Sequence, residues 1–301
     1  MANPIIEDIK LKIRSGNPIT RLIIINIAVF LLISVLRILL FLTGSSGIFS
    51  EFVTLLINNI SVSLSLQGII YKPWTLITYM FTHIEVMHLL WNLITLFWFG
   101  QILSDYTSTK KIIPLYLMGG LVGALITILL ITLIPAFHIY IGSPMVGASA
   151  GITAIIIASA TLVPNYTMNL MFIGPVKLIY VALFVVFIDI LNVASYDNLG
   201  GNIAHLGGAL MGYIFIIQYK KGKDLSLWIN HFFDWISNLF KISFKSKLKV
   251  AYKRGVSDEA YNQNKKVTQT QIDMILDKIS KSGYESLTKA EKEILFKASN
   301  K

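Results

Sequence analysis

Six stretches, each about twenty residues long and almost free of charge, run through this 301-residue chain. They cover roughly 22–42, 83–103, 112–135, 147–163, 174–192 and 201–219. About 20 consecutive apolar residues carry a helix across the hydrocarbon of a bilayer. In lipid every backbone N–H and C=O has to be paired inside the protein, which leaves helices or a closed barrel. The expected fold is an all-α polytopic membrane protein, a bundle of six transmembrane helices. Composition agrees. Only 14% of the residues are charged and 54% are hydrophobic, against about 25% charged in soluble domains. An ordinary soluble enzyme is thereby set aside. Cysteine is absent, so thiolate nucleophiles, disulfides and Cys-ligated metals are excluded.

The net charge of +10 is unevenly placed. Residues 1–21 hold four basic and two acidic side chains, and residues 220–301 hold seventeen and nine. The apolar middle is neutral. A basic chain can signal nucleic acid, but here the basic residues flank the spans, as the positive-inside rule describes. Lys10, Lys12, Arg14 and Arg21 precede span 1. Lys110 and Lys111 join spans 2 and 3, Lys177 opens span 5, and Lys220, Lys221 and Lys223 follow span 6. With six spans all four clusters fall on one side, so both termini are expected in the cytoplasm. Arg37, near the far end of span 1, can snorkel to the interface. The first span is too long for a signal peptide and no transit peptide is visible, which favours the inner membrane of a bacterium.

Outside the spans, residues 1–21 form a cytoplasmic segment. The long loop 43–75 is half apolar and suits a helix dipping into the interface. Residues 221–250 are expected to hold an amphipathic basic helix on the membrane face, with Trp228, Phe232, Phe233 and Trp235 at helical spacing. Residues 251–270 are polar and read as a linker. Residues 271–301 show two short helical patterns around Lys281-Ser282-Gly283-Tyr284, a small helical hairpin able to dock a cytoplasmic partner.

Polar residues inside a membrane are costly and default to functional hypotheses. The first cluster is His83-Ile-Glu-Val-Met-His88-Leu-Leu-Trp-Asn92. A zinc-binding helix needs His-Glu-x-x-His on one face. These histidines stand five apart, about 140° around a helix, so no metal is expected. His88 and Asn92 do share a face. Two donors aimed at one point are what an oxyanion requires, while a bland helix–helix contact would also use them. The second cluster is Gly147-Ala-Ser149-Ala-Gly151, a serine among small residues at the start of span 4. A helix N-terminus favours developing negative charge, and Gly147 with Gly151 is also a common packing pair. Gly-x-Ser-x-Gly occurs in α/β-hydrolases too, and Asp189 and His205 follow in the right order. That fold needs a soluble strand–turn–helix, which membrane flanks do not supply. The third cluster is Ala204-His205-Leu-Gly-Gly208-Ala-Leu-Met-Gly212. Gly208 and Gly212 permit close helix contact, which would bring His205 to Ser149 at equal depth. Histidine can then serve as the base that a serine nucleophile needs. The three clusters fit one reaction: Ser149 attacks a carbonyl, His205 takes its proton, and His88, Asn92 and the Ser149 N–H hold the oxyanion.

In this combination the residues resemble the rhomboid family of intramembrane serine proteases, over about residues 19–220. The motifs are His83/His88/Asn92 in span 2, Gly147/Ser149 in span 4 and Ala204/His205/Gly208/Gly212 in span 6. The resemblance implies a six-helix bundle with a cavity open to the outside. It implies a Ser149–His205 dyad without a catalytic acid, His88 and Asn92 in the oxyanion hole, and His83 in support. It implies transmembrane proteins as substrates and no cofactor. Three departures stand out. Trp74 is followed by Thr75 where the family often has arginine. Ala150 replaces glycine after the serine. Thr153 stands where many members stack an aromatic on the histidine, so His205 is expected to be held differently, for instance by a hydrogen bond. Asp189, the one acid within a span besides the flanks, is expected to bond to Asn192 or a neighbouring helix, or to act as a proton-sensitive gate. Two rival classes remain: a catalytically dead relative that binds and escorts membrane proteins, and a solute transporter. The polar residues gather at one depth and show no repeat, against the transporter.

Overall fold

The computed structural model describes residues 16–42, 47–170, 173–196, 198–240 and 258–299. The first apolar run is helix α1 (Pro18–Leu42). Its Arg37 donates from Nη1 to the Ile84 carbonyl at 3.3 Å, just after His83. The following loop holds helix α2 (Ile48–Ile60), strand β1 (Val62–Ser63) and helices α3 (Leu66–Tyr71) and α4 (Thr75–Thr78). Phe52, Leu55, Leu66, Ile70, Tyr71 and Trp74 all stand exposed on it. A set of apolar side chains like this on one connection is what a membrane-contacting loop presents.

Next come α5 (Val86–Tyr106) and α6 (Ile112–Leu133), strand β2 (Pro144–Met145), and α7 (Ser149–Leu162). A hairpin of β3 (Thr167–Leu170) and β4 (Gly174–Lys177) leads into α8 (Leu178–Ser195), and α9 (Leu199–Lys220) follows. Among the described residues α1, α5, α6, α8 and α9 are long and apolar enough to cross a membrane. The sixth expected span is different. Helix α7 has 14 residues, about 21 Å of rise, short of the ~30 Å hydrocarbon core. It is therefore sheathed in protein, with Ala150 through Ala160 all buried.

Glycine sets how closely α7 and α9 approach. A Cβ on Gly208 would lie 2.1 Å from the Ala150 carbonyl oxygen, and one on Gly212 would lie 2.2 Å from that of Ala154. Side chains cannot stand between these backbones, so α9 lies directly on α7. Two buried tyrosines brace the turn before α5. Tyr79 donates to the Gly120 carbonyl at 2.7 Å, and Tyr116 donates to that of Met80 at 2.6 Å. Strands β1 and β2 pair antiparallel, Val62 with Met145 and Ser63 with Pro144. That pair ties the first loop to the segment entering α7.

The basic residues between helices converge at one end of the bundle. Lys111 pairs with Asp224 and lies over the Tyr219 ring, while Lys220 donates to the Thr161 carbonyl at the end of α7 at 2.7 Å. Burial alone would raise the Asp224 carboxyl, but bonds from Lys111 and Ser226 outweigh it and hold the group below its usual range. Helix α10 (Leu227–Phe240) then exposes Leu227, Trp228, Phe232, Phe233 and Trp235 and buries Ile229.

The described residues 258–299 belong to a second compact unit. Helix α11 (Asp258–Ser282) starts inside the stretch 251–270 read as a linker, and 251–257 lie outside the described residues. Its first turns, 258–270, are mostly polar and carry no apolar stripe, so periodicity gave no sign of them. Gly283, at φ +75°, ends it, and α12 (Lys289–Ser299) turns back. Ile275 and Leu287 are buried between them, and Lys278 bonds Glu291. Thr288 and Glu291 cap α12 reciprocally: Thr288 N–H donates to the carboxylate at 2.7 Å, and Glu291 N–H donates to the threonine hydroxyl at 3.4 Å.

Candidate active site

Ser149 opens α7, two residues after a glycine that no other residue replaces easily. Gly147 has φ +128°, and a Cβ there would stand 2.9 Å from the His88 ring. The chain therefore bends tightly against His88 as it enters the helix. The first regular bond into the helix is Ile152 N–H to Ala148 O. Free N–H groups and the helix dipole face the position of the serine.

His205 lies one turn above Gly208, on the glycine face that packs α9 against α7. Its Nε2 stands 2.6 Å from Ser149 Oγ. The serine, the histidine, His88 and Asn92 all line one cavity of about 830 Å³. Leu64, Met145 and Tyr140 are among its walls, so the β1–β2 pair forms part of its rim. A second cleft, about 270 Å³, reaches Ser149 and His205 from the side, between α5 (Trp91, Asn92, Thr95) and α8 (Phe184, Val185, Ile188).

His83 is fully buried and lies beside both donors. Its Nε2 accepts the Ala148 N–H at 3.4 Å and faces Asn92 Nδ2 at 3.1 Å. An acceptor at Nε2 leaves the ring proton on Nδ1 and orients the Asn92 amide with nitrogen inward, its second N–H free for another partner. The His83 and His88 rings meet edge to face at 5.1 Å. All eight residues singled out in the sequence thus belong to one assembly: Ser149, His205, His88 and Asn92 at the cavity, His83 and Gly147 behind it, Gly208 and Gly212 setting the helix contact. Among the described residues no group of three or more His, Cys, Asp or Glu side chains gathers as metal ligands do.

Asp189 bonds to a neighbouring helix rather than to Asn192, and the partner there is His205. Asp189, on the inward face of α8, stands with Oδ1 2.8 Å from His205 Nδ1. Its isolation as an acid inside an apolar span was the sequence signal; the partner was not legible. His138 and His231 are exposed, His138 against the Thr132 carbonyl, away from the cavity.

Residues 70–221, half of the chain, match the family model of the Rhomboid domain. The chain belongs to the rhomboid family. The match leaves out α1 and most of the first loop, which the sequence resemblance had included. Two curated relatives agree. "RHOMBOID-like protein 12, mitochondrial" of Arabidopsis thaliana is 28% identical over 165 residues, 50% of this chain and 47% of its own. "Rhomboid-like protease 3" of Toxoplasma gondii is 25% identical over 186 residues, 59% of this chain and 66% of its own. The chain thus matches between about half and two thirds of these relatives' length. Residues 257–301 match a family of unknown function (DUF6576), which covers the α11–α12 hairpin. As a rhomboid the protein is an integral membrane protein in contact with the bilayer.

Proposed function

We propose that this rhomboid is an intramembrane serine endopeptidase that cuts membrane proteins in or near their spans. The observation that carries the reading is the 2.6 Å contact between Ser149 Oγ and His205 Nε2, both of which line the same cavity. His205 Nε2 takes the serine proton as Oγ attacks the scissile carbonyl. Negative charge then grows on the carbonyl oxygen. His88, the free N–H of Asn92 and the first amides of α7 are the donors placed to hold it. The imidazolium gives its proton to the leaving amine nitrogen, and the C–N bond breaks. Water, admitted through the cavity, repeats the sequence on the acyl-enzyme: His205 takes its proton, the acid product leaves and Ser149 is restored. A helical peptide bond is shielded, so the substrate has to unwind locally. The cleft between α5 and α8 offers it a route from the lipid.

In this reading the cavity opens on the side away from the basic cluster, both termini are cytoplasmic, and the protein resides in a bacterial inner membrane. The hairpin 271–301 is a docking module for a cytoplasmic partner. The rival reading, an inactive relative that escorts membrane proteins, keeps the fold but gives the Ser149–His205 contact nothing to do.

A fluorophosphonate probe tests the nucleophile directly. Wild type in detergent is expected to be labelled at Ser149, and His205→Ala to lose the label while keeping its melting temperature. A folded wild type that takes no label at Ser149 would count against the protease and for the escort.

A further inference from the structure

Helix α8 is mostly bare: Tyr180, Leu183, Phe184, Phe187, Ile190 and Leu191 are exposed. Its buried positions are Leu178, Ala182 and Asp189, at spacings that trace a single face. An acid on that face, 5% exposed, has left water without an aliphatic alternative being used. Its Oδ1 meets His205 Nδ1 at 2.8 Å, the nitrogen left over once Nε2 has turned to Ser149. The two contacts are satisfied together in one arrangement. Nδ1 carries the proton and donates it to Asp189, while Nε2 is bare and accepts from the serine. The opposite tautomer would set an unprotonated Nδ1 against a carboxylate oxygen and a ring N–H against the serine that has to lose its proton.

We propose, resting on the protease reading above, that Asp189 is the positioning residue of His205 and turns the serine–histidine pair into a Ser149–His205–Asp189 triad. Asp189 fixes the ring's tautomer and rotation and stabilises the imidazolium that forms when the serine proton moves. It takes no proton itself: the Nδ1 proton stays on the ring throughout. Asp189 comes from a helix that neither Ser149 nor His205 belongs to, so the triad exists only while α8 is docked. Thr153 lines the same lateral cleft, and His205 is held from its Nδ1 edge by the carboxylate.

Three measurements on the full chain in detergent separate this from a merely structural role. The first needs no variant. With histidine labelled by 15N, wild-type His205 (assigned by its loss in His205→Ala) is expected to show the proton on Nδ1. A signal with the proton on Nε2 would overturn the proposal. The second is the kinetics of Asp189→Asn and Asp189→Leu on a transmembrane reporter. The expected outcome is a kcat about 100- to 10,000-fold lower, by analogy with other serine–histidine–acid sites, with KM little changed. Either variant cleaving at the wild-type rate would overturn it. The third is the fluorophosphonate rate at Ser149, expected to fall in parallel. Were wild type itself neither labelled nor active, the protease reading would fall and this with it. An active, labelled wild type beside unimpaired Asp189 variants would remove this proposal alone.

Discussion

His88 and Asn92 are the test of the oxyanion arrangement at the scale of single residues. Both border the cavity that holds Ser149, and neither touches the serine–histidine bond. Truncating one to alanine is therefore expected to leave the nucleophile in place and remove one donor. In kinetics on a reporter, His88→Ala and Asn92→Ala should each lower kcat by about 10²–10³-fold. A change confined to KM would place them in substrate binding instead. These residues were legible in the sequence because each is a costly polar group in an apolar run, and because the spacing of His88 and Asn92 fits one helix face. Asp189 was equally visible as an anomaly. Its partner was not, since the pairing of α8 with α9 depends on how two helices are rotated against each other. Periodicity within either helix says nothing about that. His83 was foreseen as a supporting residue, but its link to both Asn92 and the Ala148 amide needed the three-dimensional turn.

At the scale of elements, the α7–α9 contact should be intolerant of any side chain. Gly208→Leu would drive carbon into the Ala150 carbonyl, and backbone cannot yield as a flexible side chain does. A loss at or above the upper end of the ~1–3 kcal/mol usual for overpacking is expected, read as a lowered melting temperature together with lost cleavage. A wild-type melting temperature would show that the helices can part without cost. In the hairpin, the bond from the Thr288 amide, with Lys278 and the Thr288 hydroxyl, pushes Glu291 down to about 2. The folded value lies below the unfolded one, so the cap is fully present above the unfolded pKa of about 4.5 and is lost as pH falls toward 2. Hydrogen exchange of the Thr288 amide should accelerate relative to its intrinsic rate across that window, and Glu291→Gln should flatten the response. The elements themselves show where sequence reading stops. The apolar run of span 2 begins at 83, yet α5 begins at Val86, with Glu85 before it in an extended conformation. Helix α7 is short for a span, and only burial by its neighbours makes that possible.

For the whole molecule, the absence of cysteine makes orientation directly measurable. Ile139, 84% exposed on the connection before β2, and Lys110, on the connection between α5 and α6, lie at opposite ends of the bundle. With a membrane-impermeant maleimide on intact cells, Ile139→Cys should label and Lys110→Cys should label only after lysis. The reverse pattern would overturn the placement of the basic end in the cytoplasm. That basic end was legible from charge alone, since the positive-inside rule acts on loops and not on packing. In the proposed reaction Ser149 and His205 hydrolyse a peptide bond in the membrane. The most direct measurement is cleavage of a transmembrane reporter by purified protein in liposomes, with Ser149→Ala, His205→Ala and a chelator alongside. Cleavage by wild type, lost in both variants and indifferent to the chelator, is the expected result. Cleavage that survives Ser149→Ala, or that the chelator stops, would contradict it.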